Sequence, residues 1–146
     1  MVVSEFQMKF KYIKAPLIQK SPIFGSYIPK PIIPIELISD ERSVRFAALI
    51  DSGADFCIFP DSLAEALGLT LDKSRAERFA GISGEPSKAY FSDLTINIGG
   101  WKYKTLVSFS EDISPRGYGI LGQKGFFDLF RVAFDLKKEE IELKPR

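Results

Sequence analysis

In this chain apolar residues recur at every second position, in short stretches set apart by turn-forming residues, and that pattern suits pleated strands and little else. Phe6, Met8, Phe10 and Tyr12 alternate with Gln7, Lys9 and Lys11. Residues 32–39 and 44–50 read as two strands around the polar turn Asp40-Glu41-Arg42-Ser43. Leu94, Ile96 and Ile98 lead through Gly99-Gly100 into an amphipathic stretch over residues 101–109. Further strands are expected at residues 73–80, 85–90 and 118–122, and around Val132, Phe134, Ile141 and Leu143. Two short helices are expected between them. Over residues 60–68, Ser62 and Glu65 suit a capping box, Leu63 and Leu67 lie one turn apart, and Gly68 is a stop. The other spans residues 123–130. The expected fold is therefore all-β, with barrel-like closure and two short helices.

With 146 residues, 45% of them apolar and 27% charged, the chain is suited to one globular domain. Five of its nine prolines, Pro16, Pro22, Pro29, Pro31 and Pro34, fall near the N-terminus, where they forbid a helix and favour an extended arm. Residues 1–30 are read as that arm and residues 31–146 as the domain. The net charge of +1 gives no electrostatic case for nucleic acid or an anionic membrane. The single cysteine, Cys57, fits a reducing compartment and a place in the core. No basic segment followed by an apolar one opens the chain, so a cytoplasmic location is expected.

One position breaks the apolar pattern in a way that asks for a use. Asp51 stands between the hydrophobic runs Ala47-Ala48-Leu49-Ile50 and Phe56-Cys57-Ile58-Phe59. An ionised carboxylate in apolar surroundings costs several kcal/mol unless partners satisfy it. Ser52 adds a hydroxyl, Gly53 permits a tight turn and Ala54 adds little bulk, so the stretch reads as a strand that presents an acid. The chain has no histidine, which removes Ser-His-Asp and Cys-His catalysis and histidine-bound metals; a lone cysteine removes zinc ribbons and iron-sulfur clusters. Carboxylates are thus the foremost catalytic candidates. Residues 73–80 and 85–90 flank a glycine-bracketed tip, Gly81-Ile82-Ser83-Gly84, which reads as a hairpin projecting into solvent and closing over something.

Leu49-Ile50-Asp51-Ser52-Gly53-Ala54, the glycine-bracketed hairpin and Ile120-Leu121-Gly122, in that order, resemble a retropepsin-like aspartic protease. The helix expected directly after the acid loop is similar to the single-domain prokaryotic members more than to the retroviral ones. The resemblance spans residues 32–146. It implies a peptide-hydrolysing enzyme with no metal and no cofactor. Because one chain supplies one Asp-Ser-Gly, it also implies a twofold homodimer that brings two Asp51 carboxylates together.

The resemblance further implies roles for particular residues. Asp51 is the catalytic acid and base, and Ser52 and Gly53 support the dyad. Ala54, Asp55, Ile120 and the flap residues Gly81, Ile82, Ser83 and Gly84 contact an extended peptide or protein substrate, with Phe79 adding apolar surface. Asp55 matches a position that retroviral members tie to an arginine after the Ile-Leu-Gly element. Here that residue is Gln123, which leaves Asp55 to contact a substrate end or to pair locally with Arg116 or Arg131. The same departure, with an arm that could cover the cleft, motivates a second reading, a catalytically silent, dimeric peptide-binding module; a third is a precursor whose residues 1–30 occupy the substrate groove and are removed by self-cleavage.

Overall fold

The computed structural model describes residues 7–80 and 85–146. In chain order, β1 (Met8–Lys11), β2 (Ile13–Ser21) and β3 (Gly25–Lys30) precede β4 (Ile32–Ser39) and β5 (Arg42–Ile50). After β6 (Ile58–Pro60) comes the helix α1 (Asp61–Ala66), then a 3-10 turn over Lys73–Arg75 and β7 (Ala76–Ala80). The chain ends with β8 (Pro86–Ile98), β9 (Trp101–Ser110), β10 (Gly119–Leu121), β11 (Phe130–Asp135) and β12 (Glu140–Pro145).

The largest sheet runs β4-β5-β10-β6-β9-β8-β7, and β4 also pairs with β8, so six strands close on themselves while β7 extends outward from β8. Closure comes from Glu36, Leu37 and Ile38 lying opposite Asn97, Ile96 and Thr95. Alternation supplies the interior: Ile33, Ile35 and Leu37 of β4 face Ile96 and Ile98 of β8, with Val107, Phe109 and Phe59 filling the ring. A smaller sheet, β1-β12-β11, sets Met8 opposite Leu143 and Phe10 opposite Ile141. It joins the same core through Met8, Ile141, Leu143 and Phe130. This is the expected all-β, barrel-like architecture.

Several local expectations come out differently. The strand expected over residues 6–12 is β1, and Phe6 lies outside the described residues. The proline-rich arm is not a single extended segment, because β2 and β3 fold into a hairpin with Ile13 opposite Lys30 and Pro16 opposite Tyr27. Its root is held by the Tyr27 hydroxyl, which donates to Glu139 Oε2 at 3.0 Å, and by the Tyr12 amide, which donates to the Glu139 carbonyl at 2.9 Å. α1 has no side-chain cap, since Pro60 occupies the N-cap position and Ser62 falls inside the helix. Gly68, at φ 70°, does end it.

Residues 123–130 form a succession of turns in place of the second helix. Phe127 and Asp128 donate to the Gly122 and Gln123 carbonyls, five residues back, while Leu129 and Phe130 both donate to Phe126. Gly125, at φ 98°, breaks any helical path, and a side chain there would collide with the Leu106 carbonyl.

Candidate active site

Asp51 follows the last residue of β5, where β5 runs parallel to β10 with Ile50 opposite Leu121. The Asp51 amide donates to the Leu121 carbonyl at 3.0 Å, so the acid is anchored by the end of the Ile120-Leu121-Gly122 strand. A tight turn follows: Ala54 N–H donates to the Asp51 carbonyl at 3.2 Å, and Gly53 N–H donates to Asp51 Oδ1 at 2.9 Å. That turn lifts the acid out of the strand. Asp51 is half-buried in the loop between the two apolar runs, not enclosed by them, and its carboxylate has a polar partner.

Two loops are zipped together beside it. Gln123 N–H donates to the Ala54 carbonyl at 2.8 Å and Lys124 N–H to the Asp55 carbonyl at 2.9 Å, with Phe56 and Lys124 bridged in parallel. Only a glycine fits at position 122, because a Cβ there would collide with the Phe56 carbonyl and lie 2.7 Å from the Ala54 carbonyl oxygen. Gly119 is similarly confined by the Phe59 ring. The Gln123 side chain reaches the other way, its Nε2 donating to the Ser52 carbonyl at 2.7 Å. Neither Arg116 nor Arg131 pairs with Asp55, whose exposed carboxylate has no side-chain partner among the described residues.

Next to this loop lies a cleft of about 760 Å³. Gly53, Ala54, Asp55, Ile120 and Phe79 line it, as do residues that sequence reasoning did not select: Phe56, Ile58, Ala80, Ser87, Asp112 and Ile113. Asp51 adjoins the cleft through Gly53, and Ser52 is exposed outside its lining. The expected tip Gly81-Ile82-Ser83-Gly84 lies outside the described residues. The two strands that flank the tip, β7 and β8, pair from Ala76 opposite Tyr90 to Ala80 opposite Pro86, and they bring Phe79, Ala80 and Ser87 to the cleft. Phe56 connects wall and floor, with its ring edge-on to Phe79 at 6.1 Å and to Phe91 at 5.0 Å. Ser87 was legible in principle, since it shares a face with the buried Ala89 and Phe91. Asp112 and Ile113 belong to an irregular loop with no period to read.

Cys57 is buried in the core as expected, with Sγ 3.6 Å from the Lys124 carbonyl. Burial pushes its thiol up to about 12, so it supplies no thiolate near neutral pH. Among the described residues no cluster of acids and cysteine could hold a metal ion, and no helix is long and apolar enough to cross a membrane. The ionisable side chains in the cleft's described lining are the carboxylates of Asp55 and Asp112.

Residues 37–124, more than half of the chain, match a sequence model described as aspartyl protease. The chain belongs to the aspartyl protease family. Its acid loop, outer hairpin and β10 all fall inside the matched region. No curated protein matches it. Among solved structures, this aspartyl protease family member is similar to a retropepsin-like aspartic protease from Rickettsia conorii. That match has TM-score 0.60 and 16% identity, and covers 96% of this chain and 100% of that one. It is also similar to the retroviral protease-like domain of Ddi1 from Leishmania major, at TM-score 0.55 and 20% identity over 74% of this chain and 82% of that one. EIAV protease complexed with the inhibitor HBY-793 matches at TM-score 0.50 and 19% identity, over 64% of this chain and 82% of that one. The shared fold is the retropepsin fold.

Proposed function

We propose that the chain is an aspartic endopeptidase in which residues 31–146 form the catalytic domain and residues 1–30 an attached segment whose β1 packs into the domain's core. The observation that carries this reading is the placement of Asp51. It stands at the end of two parallel strands, with one carboxylate oxygen held by the Gly53 amide, beside an apolar cleft large enough for peptide side chains. Membership of the aspartyl protease family supports it.

Amide hydrolysis by carboxylates needs one ionised acid and one protonated acid. A single chain offers one such Asp-Ser-Gly, so the active species is a homodimer whose twofold axis brings two Asp51 side chains together. Two close carboxylates share one proton and titrate in two steps. The ionised Asp51 takes a proton from water as the water oxygen bonds to the peptide carbonyl carbon, and the protonated partner gives its proton to the carbonyl oxygen. Return of a proton to the amide nitrogen then lets the carbon–nitrogen bond break, leaving a carboxylic acid and an amine. Ser52 and Gly53 shape the dyad loop. Ala54, Asp55, Ile120 and the hairpin with Gly81, Ile82, Ser83 and Gly84 at its tip hold the substrate strand, largely by main-chain hydrogen bonds. No metal or cofactor takes part.

None of the cleft's described lining comes from residues 7–30. Asp51→Asn is expected to lower peptide cleavage about 10²–10⁴-fold, or below detection, with circular dichroism and sedimentation unchanged. Undiminished cleavage by that folded variant would sink the proposal.

A further inference from the structure

The cleft beside Asp51 carries a charge pattern that its family membership does not supply. Its described lining is apolar through Ile58, Phe79, Ile113 and Ile120; it holds two carboxylates, Asp55 and Asp112, and no lysine or arginine. Both acids are exposed, and neither carboxylate has a side-chain partner among the described residues; the Asp112 amide alone is used, donating to Ser110 Oγ at 3.2 Å. Gln123, which stands after Gly122, is neutral and donates its side-chain amide to the Ser52 carbonyl at 2.7 Å. On its far side Asp55 borders a smaller recess of about 360 Å³ with Arg75, Glu77 and Lys124. Both cations there are drawn to other acids, Arg75 to Asp93 at 3.1 Å and Lys124 to Asp128 at 3.9 Å.

We propose, resting on the endopeptidase reading, that the cleft selects peptides in which an apolar residue is accompanied by lysine or arginine, with Asp55 and Asp112 as the residues that read the cation. The apolar walls take the first side chain by burial. A substrate ammonium or guanidinium then meets two carboxylates that form no ion pair among the described residues, and an acidic peptide is repelled by the same groups. Because the two carboxylates are exposed, the preference is modest and screened by salt.

The test uses the full chain and non-cleavable hydroxyethylene peptide analogues with one apolar centre, flanked by Lys, Gln or Glu. Calorimetry at low and high salt should show the Lys peptide binding about two- to fivefold more tightly than the Gln peptide, and the Glu peptide most weakly. The spread should narrow as salt rises, and Asp55→Asn and Asp112→Asn should each narrow it at low salt. Equal affinity for the three analogues, no binding of any of them, or a spread unchanged in both variants would overturn the proposal. Cleavage of the corresponding amide peptides is read separately. Charge-selective binding without cleavage removes the endopeptidase reading and leaves this one standing, and cleavage without charge selection does the reverse.

Discussion

At Gly122 the two halves of the acid loop come within contact of each other, and the side chain that is missing there matters more than most that are present. Gly122→Ala would drive a methyl group against the Phe56 and Ala54 carbonyls, both backbone, which cannot swing aside. Overpacking of this kind costs about 1–3 kcal/mol. Urea denaturation should show that loss, with peptide cleavage falling as well because Asp51 hangs from the neighbouring Leu121 carbonyl. An unchanged midpoint would mean that the two loops are not clamped as described. The Asp51-Ser52-Gly53 loop and the Ile120-Leu121-Gly122 strand end stood out in the sequence because small or acidic residues interrupt apolar runs there, and the two meet through the Asp51 amide and the Leu121 carbonyl. The partner of Gln123 did not, since its amide meets the Ser52 carbonyl 71 positions away and nothing local announces that contact.

Among the elements, the pairing of β4 with β8 closes the ring, and it carries a polar contact across the seam. Asn97 Nδ2 donates to Glu36 Oε1 at 3.1 Å. That hydrogen bond first, then one from Ser43 and the nearby Arg45 and Lys102 charges, hold the Glu36 carboxyl below its ordinary value of 4.5. A carboxyl depressed in the folded state contributes stability above the unfolded-state value and loses it as the pH falls through the folded-state value. Glu36→Gln should therefore lower the denaturation midpoint by more at pH 7 than at pH 3. Equal losses at both pH values would assign the effect to packing. Strands such as β4 and β8 were readable from alternation alone, since each has one face in the core. Over residues 123–130 the spacing of Phe126, Phe127 and Phe130 suits a helix as well as it suits turns, so local pattern does not decide between them. The close approach of Gly125 to Leu106, set by tertiary packing, decides the path.

For the whole molecule, the proposed pairing of two Asp51 carboxylates makes activity a property of the assembly. Cleavage per chain should fall on dilution, and the active species should sediment at twice the 16.4 kDa chain mass. An active single chain would exclude the shared dyad. The all-β closure was legible because strand number and alternation leave few other ways to bury so many apolar faces. The hairpin of β2 and β3 was not, since prolines that forbid a helix do not say which extended partner they choose. The parallel pairing of β5 with β10 also bears on how the protein is made. Synthesis runs from the N-terminus, so Asp51 leaves the ribosome well before Leu121, Gly122 and Gln123, the residues that anchor its loop. Until those arrive the acid is held only by its own turn, through the Gly53 and Ala54 amides, and the proposed site is incomplete in a half-made chain.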